Sequence, residues 1–142
     1  MKQNDNSQEL QKTLNQLETG RRQLESIAKQ SQMVENALLE INATIQALNA
    51  LDEVKEGTGI LVSMGANTFV KASLTDKENI LVGIGAGFSA EKKRGDAIKS
   101  LESRKDEMSR ALESMRRMAS EIESKLLELN AIAEGMVGRA KQ

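Results

Sequence analysis

Residues 98–140 read IKSLESRKDEMSRALESMRRMASEIESKLLELNAIAEGMVGRA. Alternating steps of three and four from Ile98 land on Leu101, Lys105, Met108, Leu112, Met115, Ala119 and Ile122, then on Leu126, Leu129, Ala133, Met136 and Ala140. Every stop but Lys105 is apolar, the a/d spacing of a coiled coil. A seam this narrow needs a partner helix. A second helical pattern runs from about Gln8 to Val54. In it Leu10, Leu17, Leu24, Ser31, Leu38 and Ile45 recur every seven residues, with Ile27, Val34, Ile41 and Leu48 as a second column. Near its start Leu14 is read as filling the gap between Leu10 and Leu17, and Gly20-Arg21-Arg22 as interrupting the stripe.

Between the two patterns the composition becomes strand-like. Glu56-Gly57-Thr58-Gly59 is predicted to stop the first helix, with glycine as its C-terminal cap. Ile60–Met64, Thr68–Leu74, Ile80–Ile84 and Phe88–Lys92 are short β-rich runs separated by Gly, Asn and Asp, the pattern of two hairpins. Helix resumes near Gly95, with Asp96 as N-cap or first-turn acid. The expected organisation is one domain in three parts: an N-terminal coiled-coil helix (1–56), two β-hairpins (57–92) and a C-terminal coiled-coil helix (93–142). Helices of matched length joined by a compact sheet bury both seams most simply as an antiparallel hairpin.

Composition narrows the function. The 142 residues include two Phe and no Tyr, Trp, Pro, Cys or His. Without His the usual neutral-pH general base and the commonest metal ligand are gone. Without Cys there is no disulfide or thiolate metal site. A net charge of −1 does not favour polyanions. Lys92-Lys93-Arg94, Arg21-Arg22 and Arg116-Arg117 are diluted by acids and have no interleaved aromatics, so they read as solvated helix faces and not as a nucleic-acid site. Gly83-x-Gly85-x-Gly87 lacks the spacing and following helix of a dinucleotide loop. Glu121, Glu123 and Glu128 read as surface charge. No apolar run reaches the length of a bilayer span, and MKQNDNSQEL has no apolar leader segment. The expectation is a cytoplasmic non-enzyme that needs no cofactor or metal and contacts neither nucleic acid nor membrane.

Isolated hairpins are marginal in water, and unpaired strand edges invite another chain. Ile60, Val62, Phe69, Ile80, Val82 and Ile84 need a covering layer that one chain of this size lacks. These six are the predicted oligomerisation residues. In an antiparallel hairpin the chain ends meet at a distal tip. The tip holds Leu10, Leu14 and Leu17 from the first helix and Leu129, Ile132, Met136 and Val137 from the second. The packing alternative is that Leu10, Leu14 and Met136 simply close the last turns of the coiled coil.

The stretches Ile60–Ala72 and Ile80–Lys92, set between two long helices, resemble the α-class subunits of the prefoldin family, which carry segments of the LVPVGAGSF and VSVGAGY types in these places. Ser63 stands where proline is common, and Asn67 replaces a small glycine. Two hairpins match the α class. The short tails look archaeal. The resemblance implies a hexamer of two α and four β subunits, with a β-barrel body and coiled-coil arms around a cavity. It implies ATP-independent capture of unfolded proteins at the arm tips and delivery to a group II chaperonin. It assigns client contact to Leu10, Leu14, Leu17, Leu129, Ile132, Met136 and Val137. The competing reading is a coiled-coil scaffold or tether that binds no client.

Overall fold

The computed structural model describes residues 2–140, and of Ala140 the backbone only. The last stop of the predicted seam, the Ala140 side chain, therefore lies outside the described residues. The order is α1 (Lys2–Ala50), a 3-10 turn (Leu51–Glu53), β1 (Gly59–Gly65), β2 (Thr68–Ser73), β3 (Asn79–Gly85), β4 (Phe88–Lys93) and α2 (Arg94–Ala140). The helices have 49 and 47 residues, about 70 Å each at 1.5 Å per residue. The chain divides into two compact units. One joins α1 up to Asn36 with α2 from Ser109 onward; the other is Ala37–Met108.

In α2 every predicted seam position from Ile98 to Met136, Lys105 included, is buried or half-buried. From Lys99 to Arg139 every other residue is exposed. Lys105 is tolerated there because its methylene stem can lie along apolar surface while the ammonium reaches water.

In α1 the observed seam differs from the expected one. It steps without a break through Leu10, Thr13, Leu17, Gly20, Leu24, Ile27, Ser31 and Val34, and on through Leu38, Ile41, Ile45 and Leu48. Leu14 does not fill the gap after Leu10; Thr13 does, at 6% exposure against 47% for Leu14. Gly20 is buried in the seam and does not interrupt it. The heptad spacing from Ile27 back to Gly20 and Thr13 was present, but neither residue is apolar. Physical accommodation explains both. The Thr13 hydroxyl donates to the Glu9 carbonyl at 2.9 Å, so it enters the seam satisfied. Gly20 leaves room that Leu126 occupies: a Cβ built on Gly20 would lie 2.4 Å from Leu126 Cδ2. Ser31, the other polar seam residue of this unit, donates to Met115 Sδ at 3.6 Å. Gly20 opposite Leu126 and Ser31 opposite Met115 fix the pairing as antiparallel.

This contact yields a graded prediction. Gly20→Ala gains about 1 kcal/mol of helix propensity, while its Cβ forces Leu126 to withdraw Cδ2, at 2.4 Å, and to ease Cγ, at 3.2 Å; the two effects oppose each other, so unfolding should barely move. Gly20→Val adds branched bulk at the backbone and should cost about 1–2 kcal/mol through overpacking. Chemical unfolding followed by helical circular dichroism measures both.

The first helix stops earlier than expected, and by another device. After the 3-10 turn Val54 is already extended. Gly57, at φ 90°, is not a helix cap: its N–H donates to the Leu74 carbonyl at 2.6 Å and opens the first hairpin. Helix α2 follows β4 directly at Arg94, so Asp96 is a first-turn acid and not the N-cap.

The hairpins repeat one design. Ile-Leu-Val at 60–62 returns at 80–82, and Gly-Ala at 65–66 returns at 85–86. Both pairs are antiparallel with a register shift before the turn, between Ser63 and Gly65 and between Gly83 and Gly85. The two-residue loops Ala66-Asn67 and Ala86-Gly87 have positive φ at both positions, 49° and 58° in the first, 52° and 77° in the second. That is the left-handed pair that matches strand twist in tight hairpins. Between the hairpins, Asp76 accepts from the Asn79 side chain and from the Asn79 and Glu78 backbone N–H groups. These bonds hold its carboxyl below the usual carboxylate range.

Candidate functional surfaces

Strand register decides which hairpin side chains share a face, because facing residues in an antiparallel pair point the same way. Ile60 opposes Ala72 and Val62 opposes Val70, making one apolar face. Phe69 opposes Ser63 and lies on the other face with Leu61. The first hairpin is exposed on both faces. The second hairpin is partly covered from within the chain. Ile80, Val82, Ala90 and Lys92, which share a face, are half-buried. A groove of 340 Å³ runs between Val82 and Ile84 and the first turns of α2 at Leu101 and Arg104. Lys92 Nζ donates to Ser100 Oγ at 3.3 Å across it. Of the six predicted oligomerisation residues, Ile60, Val62, Phe69 and Ile84 are thus exposed, while Ile80 and Val82 are half-covered.

One residue ties this unit together. Arg94, at the β4–α2 junction, donates to the Leu48 carbonyl at 3.2 Å and to the Asp52 carboxylate, with Glu78 Oε1 at 3.8 Å. Its backbone N–H donates to the Glu78 carbonyl at 2.8 Å. Arg94 therefore links the end of α1, the inter-hairpin turn and the start of α2. Its Nε is buried without a partner, which offsets part of the gain. The basic cluster Lys92-Lys93-Arg94 reads in the sequence as a solvated face, and no local signal sets Arg94 apart, because its partners Leu48, Asp52 and Glu78 are distant in sequence. Arg94→Ala should lower stability by about 1–2 kcal/mol after discounting the exposed acids. Arg94→Lys should recover only part of that, since an ammonium cannot fork between carbonyl and carboxylate. Denaturant midpoints at matched protein concentration measure both.

In the other unit the predicted tip residues separate by burial. Leu17 is 5% exposed and packs in the seam. Leu10, Leu129 and Met136 are half-buried seam positions. Leu14, Ile132 and Val137 are 47%, 49% and 42% exposed and lie outside it. The Glu35–Arg116 ion pair, 3.5 Å, marks one flank of the helix pair. Arg21 and Asn130 line a groove on that same flank, two heptads along. One heptad further the flank carries Leu14 and Val137, an exposed apolar pair where charge would be expected. Ile132 lies on the opposite flank, one heptad beyond Lys125. Leu127, exposed and lining the Arg21 groove, belongs with the apolar surface on that flank and is not among the predicted residues, because it precedes the stretch from Leu129 onward that reads as the tip.

Among the described residues no cluster of three acids could hold a metal ion, and no helix is long and apolar enough to cross a membrane.

The comparisons with known proteins agree with this architecture. The family model for the prefoldin subunit matches residues 20–138. The chain is 33% identical over 79 residues to prefoldin subunit alpha of Methanopyrus kandleri, covering 56% of this chain and 50% of that protein. It thus spans about half the length of that relative. It is 28% identical over 125 residues to prefoldin subunit alpha of Pyrococcus horikoshii, covering 87% of this chain and 84% of the relative. Among solved structures, the cryo-EM structure of filamentous PFD from Methanocaldococcus jannaschii superposes with a TM-score of 0.73. That match covers 82% of this chain and 97% of the other at 19% identity, a likeness of fold. Two long helices around two bulged hairpins, with the family match running from Gly20 in the first seam to Gly138 near the end of the second, make this chain a member of the prefoldin family, among its α-class subunits.

Proposed function

We propose that this chain is the α subunit of a cytoplasmic, ATP-independent holdase. It works in a hexamer of two α and four β prefoldin subunits that captures unfolded proteins and passes them to a group II chaperonin. The observation that carries the proposal is the uncovered first hairpin. Ile60, Leu61, Val62, Phe69 and Val70 are all exposed, on a strand pair that cannot bury them itself. Burial at about 25 cal/mol per Å² makes partner hairpins the favourable cover, with the strands closing into a common barrel.

Client holding is proposed for the distal side chains Leu14, Ile132 and Val137, with Leu10, Leu129 and Met136 joining where the helix ends fray. Leu17 contributes mainly by packing. Weak apolar contacts repeated on several arms multiply through effective concentration. The helix-weakening Gly135 and Gly138 lie in the same stretch. Native mass measurement after co-expression with candidate β subunits tests the assembly: a defined hetero-oligomer is expected, and an unassociated chain would remove the proposal.

A further inference from the structure

We infer that the groove beside Gly20 is a second polypeptide-contact site, distinct from exposed Leu14, Ile132 and Val137, that takes an extended segment by its backbone and favours a carboxylate next to Lys125. The inference rests on the holdase reading and adds a location and a mode of recognition.

The groove has a volume of 310 Å³. At Gly20 the absence of a side chain lets Leu126 pack against the α1 backbone, so the groove is bounded there by backbone and the Leu126 side chain. The floor is Gly20, Ile122, Leu126 and Leu129. The rim on α1 is Asn15, Gln16, Thr19 and Gln23, all exposed. In a chain with 29% charged residues this rim is neutral. The neighbouring Lys12, Glu18, Arg21, Arg22 and Glu25 do not line the groove, and Lys125 is its one charge. The 410 Å³ groove on the other flank has Arg21 and Glu123 among its lining and lacks this neutral rim.

Amide and hydroxyl side chains present donors and acceptors together, the same complement as a peptide bond. An extended segment has free N–H and C=O groups to match them and apolar side chains to set on the floor. A hydrocarbon chain would leave the rim amides without partners. A nucleic acid would meet one cation and no aromatic platform. A folded helix has spent its backbone groups internally. The lone Lys125 supplies charge complementarity for an acidic side chain within the bound segment.

The test uses the full chain assembled with its partner subunits and two fluorescein-labelled unstructured peptides. Both are built from Leu, Val, Ser and Gly; one carries a single Asp and the other a Lys in its place. Anisotropy should show tighter binding of the Asp peptide. Gln16→Ala with Gln23→Ala should weaken it about tenfold, the effect of two lost net hydrogen bonds. Lys125→Glu should reverse the preference between the peptides. All three are exposed positions, so helical circular dichroism should remain native. The Lys125-dependent preference should survive Leu14→Ser, Ile132→Ser and Val137→Ser. No binding of either peptide, an unchanged affinity in the double amide variant, or a preference indifferent to Lys125→Glu overturns the groove. If the native complex still suppresses aggregation of a denatured protein in that case, the holdase reading stands. If it does not, that reading fails as well.

Discussion

Ile60→Asp combined with Val62→Asp abolishes assembly: co-expressed partner subunits no longer carry the chain, and the native mass of the complex disappears. Ile60 is 39% and Val62 42% exposed in the isolated chain, so the hairpin loses only the cross-strand contacts to Ala72 and Val70. Ile60 and Val62 point to one face with Ala72 and Val70 opposite them. Covering side chains of this size is worth about 1.5–3 kcal/mol each, and a carboxylate buried without a partner adds a further penalty. Two such changes shift an association constant by at least about a hundredfold, since each 1.4 kcal/mol is tenfold. The matching change in the second hairpin, Val82→Asp, has a mixed effect because Val82 is half-covered beside α2. It should lower helical stability as well as assembly. Native mass together with circular dichroism separates the two cases; normal assembly of the Ile60/Val62 double variant would contradict the role given to this face.

The second large effect concerns client holding. Leu14→Ser, Ile132→Ser and Val137→Ser together should remove most of the aggregation suppression while the unfolding free energy changes by under about 1 kcal/mol, as expected for exposed positions. Leu17→Ala should do the reverse. At 5% exposure it leaves a seam cavity costing about 2–4 kcal/mol, with suppression lost only as the helix pair melts. The contrast matters because all four residues are aliphatic and sit toward the same end of the helix pair, where the two chain termini lie. Only their place on the helix differs. Equal loss of suppression with equal destabilisation in both sets would show that the distal side chains serve packing alone.

Much of this fold was legible because its determinants are periodic and apolar. The α2 seam could be read stop by stop, and the four strands announced themselves by β-branched runs between glycines. What escaped reading was carried by residues that work without hydrophobicity. Thr13 enters the seam by satisfying its hydroxyl on Glu9, and Gly20 enters it by being small. A reading that scores apolar character skips both: it puts Leu14 in the place of Thr13 and takes Gly20 for a break in the stripe. Gly57 looked like a helix cap because a glycine after a helix usually is one. The chain instead used its positive φ to begin a hairpin. Arg94 was invisible for a different reason: its partners at Leu48, Asp52 and Glu78 lie far off in sequence. The candidate client residues were named as a group, but their division into packed and exposed members needs the orientation of each side chain about the helix axis.

Light scattering of a chemically denatured protein diluted into buffer without nucleotide, with the assembled complex added in molar excess, addresses the central claim most directly. A holdase built from this chain keeps the signal low without ATP, and the Leu14/Ile132/Val137 variant restores it. Scattering that rises to the same level with and without the native complex would contradict that role and leave a scaffold that holds nothing.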